Sequence, residues 1–122
     1  MDQNNNPKIE WCSVKNNNCL KFTFNGLLTK DDALNATNEW REIFSSNNIT
    51  HVNIVWHCIN MTGYEPIARS VWQKTLKELK DKIACIWLIT ESRIIKTGAM
   101  LISAFTSYDI KVVDSEDKIE FN

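Results

Sequence analysis

Neither sign of charge is in excess in this sequence: fourteen Lys and Arg stand against fifteen Asp and Glu, a formal net charge of -1. That removes the clustered cationic surplus on which phosphate-backbone binding depends, so no nucleic-acid partner is expected. Long apolar runs are missing too, with nothing near the roughly 18 to 20 residues a membrane-spanning helix needs. The start, Met1 to Pro7, is polar and Asn-rich and has no apolar stretch of the kind that directs secretion. The expectation is a cytoplasmic chain with a flexible polar tail over residues 1–7 and a single domain over 8–122. Cys12, Cys19, Cys58 and Cys85 show no C-x-x-C spacing, and there are only two histidines. Such a poor ligand set predicts no metal, and the cysteines read as small buried hydrophobes. No cofactor motif is present either.

What the sequence does have is an average globular composition, 43% hydrophobic and 24% charged, in 122 residues. One core can form at this length, but not two. Lys8 to Lys15 and Cys19 to Asn25 are β-rich around Asn16-Asn17-Asn18, residues tolerant of left-handed backbone, which predicts a hairpin. Leu20, Phe22 and Phe24 alternate with Lys21 and Thr23, and Gly26 is expected to end that strand. Thr29 is the expected N-cap of a first helix, with Asp31 and Asp32 favouring the helix dipole and Ala33, Ala36, Thr37, Trp40 and Phe44 forming its apolar stripe. A second helix runs from about Pro66 to Lys80 with Ala68, Val71, Trp72, Thr75, Leu76 and Leu79 inward and Arg69, Gln73, Lys74, Lys77 and Glu78 outward. Ile83 to Thr90 is a strand expected to be buried on both faces. Ser92 caps a third helix outlined by Ile94, Ile95, Gly98, Leu101, Ile102 and Phe105. Asp109 to Val113 is a last strand, and Ser115 to Asn122 is either one helical turn or a frayed edge strand. The order is ββαβαβαβ, an α/β fold with a mainly parallel mixed five-stranded sheet flanked by helices and a first strand antiparallel through its hairpin.

The central stretch is Ile49 to Glu65, where the apolar Val52, Ile54, Val55 and Trp56 lead into polar residues just ahead of Pro66. It predicts a buried strand that delivers a loop. In open parallel sheets ligands bind beyond the carboxyl ends of the strands. The candidate surface is therefore His57, Asn60, Thr62, Tyr64 and Glu65 after one strand, with Thr90, Ser92 and Arg93 after the next. Helix N-termini behind Glu65 and Ser92, with Arg93, suit an anion, while Glu65 and Glu91 oppose one. His57 and Cys58 are adjacent in extended chain and point to opposite faces, which argues against a Cys-His nucleophile. Five tryptophans predict an aromatic core, and Trp40, Trp56, Trp72 and Phe105 are the candidate lining of an apolar pocket between helices and sheet.

A hairpin ending in Gly26, Leu28-Thr29 before the first helix, Met61-Thr62-Gly63-Tyr64, Ala68, the Trp87-Leu88-Ile89-Thr90 strand and the final strand together define a resemblance. Over nearly its whole length the chain resembles the STAS/SpoIIAA-like superfamily, the domain of anti-sigma factor antagonists, in a branch that also resembles the CRAL-TRIO (SEC14) fold. The resemblance implies a non-enzymatic regulatory domain acting on a protein partner or as a homodimer. Its SEC14-like side implies a carrier of an apolar, lipid-like ligand as the alternative. In sigma-regulating members an Asp-Ser-Ser-Gly motif with a phosphorylated serine starts the second helix. Here that place holds Glu65, Pro66, Ile67 and Ala68, and His57 stands where those members have Asp. The usual phosphorylation switch is therefore not expected, and the family's last helix is cut short beyond Ser115.

Overall fold

The computed structural model describes residues 5–121. Strands β1 (Lys8–Val14), β2 (Asn17–Leu28), β3 (Val52–Tyr64), β4 (Ile83–Ile89) and β5 (Ile110–Val113) form one sheet in sequential order, with helices α1 (Lys30–Ser46), α2 (Pro66–Leu79) and α3 (Arg93–Thr106) between them. β1 runs antiparallel to β2 and every other pairing is parallel, the mixed α/β sheet that the element order implies. Each parallel connection steps the same way across the sheet, so right-handed crossovers place all three helices on one face.

Local chemistry sets the boundaries. Lys15 and Asn16, with φ of 49° and 66°, make the two-residue left-handed turn that matches strand twist, so the hairpin closes one residue earlier than Asn16-Asn17-Asn18 suggests. Thr29 Oγ1 accepts from the Asp32 N–H while the Asp32 carboxylate accepts from the Thr29 N–H, a reciprocal cap on α1. Thr29→Ala should cost about 1 kcal/mol, read as a shift in the urea midpoint with unchanged slope. Ser92 Oγ likewise accepts from the Ile95 N–H to start α3. Residues 5–7 do not behave as a free tail: Pro7 is buried, and Asn6 donates to the Leu27 carbonyl and accepts from the Asn25 N–H. Residues 1–4 of the expected tail lie outside the described residues.

Gly26, at φ +70°, does not end β2; it marks the second of two register shifts through which β2 and β3 stay paired to Leu28 and Tyr64. β3 is thus 13 residues long, and its second half overhangs β4, whose pairing with β3 stops at His57 and Ile89.

The core lies between sheet and helices. Phe22 packs edge-on against Trp40, Trp56 and Trp72 at centroid distances of 5.3, 6.4 and 5.9 Å, and Trp40 lies 5.4 Å from Trp72. Trp87 does not join them. It faces the other side of the sheet under the Lys111 ammonium, because the register pairs Val55 with Trp87 and Trp56 with Leu88. β4 is therefore half-exposed at Cys85 and Trp87 rather than buried on both faces. That second face carries a smaller cluster, Val14, Cys19, Val55 and Ile89, closed by the fully buried Ile119 just after a 3-10 turn at Glu116–Lys118.

Candidate functional site

The residues expected at the strand ends fall into three environments. His57 is on the helix-free face, its Nδ1 buried without a hydrogen-bond partner, and its pKa is lowered by desolvation and then by Lys21. Asn60 and Thr62 are exposed on the overhanging part of β3, which is strand where a loop was expected. The polar alternation there reflects an edge wetted on one side, and the backbone stays paired with β2. Glu65 turns toward α1 and accepts from the Lys30 N–H at 2.6 Å, so its carboxylate sits on the N-terminus of α1 and not on that of α2, which it precedes. Thr90 is buried, its Oγ1 accepting from the Ser92 N–H; Ser92 is spent as a cap, and Arg93 is exposed. These groups do not converge on one point.

Tyr64 is the exception. It reaches the helix side and lines a small cavity with Trp56, Trp72, Cys58, Met61 and Arg69, in which there is about 50 Å3 of room. Of the expected pocket residues, Trp56 and Trp72 line it, while Trp40 is packed solid behind them. Phe105 is a correction: it is 51% exposed on α3, with the Lys77 ammonium 5.3 Å from its ring centroid. Arg69, read from the helix wheel as solvated, lines the cavity with a buried Nε that has no hydrogen-bond partner, and the Trp56 indole N–H is likewise unpartnered. Trp56 is in the part of β3 still paired with β4, and Arg69 reaches the cavity from α2, three, four and seven residues before the buried Trp72, Gln73 and Leu76.

Cys58 faces this cavity, and burial pushes its thiol far above the ordinary value; His57 is on the opposite face. Cys12, Cys19 and Cys85 occupy β1, β2 and β4 on the helix-free side, where Cys12 is paired with Cys19 and Cys85 Sγ donates to Asn53 Oδ1. Burial raises the Cys19 thiol from 9.0 to about 11. Because these thiols hold their protons more tightly folded than unfolded, the stability they contribute is present below pH 9 and lost as the pH rises toward 11. Urea midpoints should fall across that window, and less steeply for Cys19→Ser.

On α3, Ile94 (63%), Leu101 (45%) and Phe105 (51%) are exposed along one line of the helix and Met100 (65%) is exposed further round it, while Ile67 (50%) is exposed at the start of α2. Ile95, Gly98, Ala99 and Ile102 supply the buried stripe of α3. The signal was present in the sequence: α3 is apolar nearly all round, more than burying one face requires.

No protein-family model matches the sequence, and no curated protein matches it. Among solved structures, the chain is similar to the crystal structure of an uncharacterized protein of the DUF3478 family with a SpoIIAA-like fold from Shewanella loihica PV-4. The TM-score is 0.74 at 14% identity, covering 96% of this chain and 94% of that one. Identity at that level speaks to architecture alone, and the order of elements, the sheet and the helices on one face agree with it. The chain has the SpoIIAA-like fold.

Proposed function

We propose that this chain is a non-enzymatic interaction domain that works through protein contact, and that its contact surface is the α2–α3 face rather than the strand ends. The single observation that carries this is the exposure of three large apolar side chains, Ile94, Leu101 and Phe105, along one line of a 14-residue helix. Contiguous apolar surface left in water is costly, and such patches mark interaction sites. The separation of His57 from Cys58 and the raised Cys58 thiol support a role without chemistry. Phe105→Asp leaves the core intact, so it should remove self-association or captured protein without lowering the urea midpoint. A variant that retains every contact of the wild type would refute the assignment.

A second reading, uptake of a small ligand, is favoured by the cavity beside Arg69, where two buried N–H groups lack partners. Its size suits a few heavy atoms and not a long acyl chain, so the ligand class is a short-chain carboxylate. Titrating butyrate should quench or shift the emission of Trp56 and Trp72, and Arg69→Met should abolish the response. An unchanged spectrum at saturating butyrate would rule this reading out.

A further inference from the structure

We infer that Cys12 and Cys19 are a reversible disulfide pair, a modification site at the outer edge of the sheet that depends neither on the contact face nor on the cavity. The hairpin register places them together. With the chain turning at Lys15 and Asn16, Val14 faces Asn17, Ser13 faces Asn18 and Cys12 faces Cys19. Both side chains lie on the helix-free face, Cys19 fully buried in the cluster that Ile119 closes and Cys12 half-buried against it. The closing pair of a two-residue hairpin is hydrogen-bonded and the pairs then alternate. Cys12 and Cys19 are therefore a hydrogen-bonded pair with α-carbons about 5.5 Å apart, inside the roughly 4.4–6.8 Å that a disulfide spans. Cys19 cannot choose another partner. Asn53 of β3 stands between it and Cys85, two strand spacings or about 9.5 Å away, and Cys58 faces the helices.

Cys12 is the thiol that solvent reaches, so it reacts first. Against a low-molecular-weight disulfide such as oxidised glutathione, Cys12 gives its proton to solvent and its sulfur bonds to one glutathione sulfur. The other glutathione leaves as a thiolate and takes up a proton. Cys19, deprotonated in turn, attacks Cys12 Sγ, and the bond from Cys12 to glutathione breaks to release the second thiol. Two protein thiols are oxidised to one disulfide while one glutathione disulfide is reduced to two thiols. In the reduced state Cys19 Sγ donates to the Asn17 carbonyl at 3.4 Å, a contact given up on bridging. Burial raises both thiols, with Lys21 drawing Cys12 down and Glu116 and Glu10 working against Lys21, so the exchange quickens as the pH rises above neutrality. Facing β-carbons stand about 4.5–5.5 Å apart, wider than the roughly 3.8 Å of a relaxed bridge. Closure therefore strains the hairpin, and thiol reductants reopen it readily.

The test is to incubate the folded protein with oxidised glutathione at about pH 8.5, near the ordinary thiol pKa, block free thiols with iodoacetamide and weigh the tryptic peptides. Lys15 lies between the two cysteines, so the bridge shows as residues 9–15 joined to residues 16–21, a pair that dithiothreitol separates. In the wild type this pair should account for most of the oxidised protein. Cys19→Ser should instead accumulate glutathione on Cys12, and Cys12→Ser should react about 10-fold more slowly or less, its remaining thiols being buried or hydrogen-bonded. Cys58→Ser and Cys85→Ser should bridge at the wild-type rate, with unchanged far-ultraviolet circular dichroism showing that each variant is folded. Glutathione retained on Cys12 in the wild type, a bridge through Cys58 or Cys85, or folded protein that stays fully reduced would overturn the inference.

Discussion

Phe22→Ala should lower the unfolding free energy by about 3–5 kcal/mol. The Phe22 ring is fully buried and meets three indoles edge-on, and those indoles are packed on one another, Trp40 to Trp56 at 6.3 Å and Trp56 to Trp72 at 6.0 Å. None can move into the vacated volume without losing its other contacts, so the cavity stays open and its full cost is felt. For a domain of ordinary stability, about 5–15 kcal/mol, that is a large share of the total. Phe22→Leu, which keeps most of the volume, should lose about 1.5 kcal/mol or less. Urea denaturation of the two variants checks this, and a Phe22→Ala loss under 1 kcal/mol would show that the aromatic cluster can re-pack.

Gly98→Ala should change sign with its background. In a helix interior alanine is favoured over glycine by about 1 kcal/mol. At Gly98, however, the added methyl would lie 2.7 Å from Tyr64 Oη and 2.8 Å from Tyr64 Cε2, closer than any real packing. The tyrosine must swing away from α3 and leave the cavity it lines, so the single substitution should destabilise by about 1–2 kcal/mol. With Tyr64→Ala already in place nothing obstructs the methyl, and the same substitution should stabilise by up to about 1 kcal/mol. A double-mutant cycle measures the coupling directly. Additive effects would mean that Tyr64 is not held against the glycine.

Helix boundaries were legible because they depend on near neighbours. Thr29 with Asp32, Pro66 at a first turn and Ser92 before Ile95 carry their reasons within a few residues, and the buried stripe of α1 is the one its periodicity predicts. The candidate site was less legible, since it is made where elements from distant parts of the chain cross. The stretch from Asn60 to Tyr64 reads as loop because nothing local shows that β2 runs through Gly26 to Leu28, pairing Asn25 with Asn60, Leu27 with Gly63 and Leu28 with Tyr64. Arg69 carries a charge that reads as solvated, yet it stands three, four and seven residues before the buried Trp72, Gln73 and Leu76, and it lines the cavity with Met61 and Tyr64 of β3. Phe105 follows Ile102 at helical spacing, and yet α3 covers the sheet along a narrow line and leaves the ring outside. Gln73, charge-free and buried, is the converse case on α2.

The sequential order of the five strands bears on how the molecule is made. Every strand pairs with the one before it in the chain, so each β-α unit can dock as soon as it is synthesised, and no early strand waits with a bare edge for a late partner. Folding should therefore be quick for a parallel sheet and should proceed from the β1–β2 hairpin outward. The long-range exception is Ile119, which reaches back from beyond β5 to Val14, Cys19, Val55 and Ile89 and seals the helix-free face last.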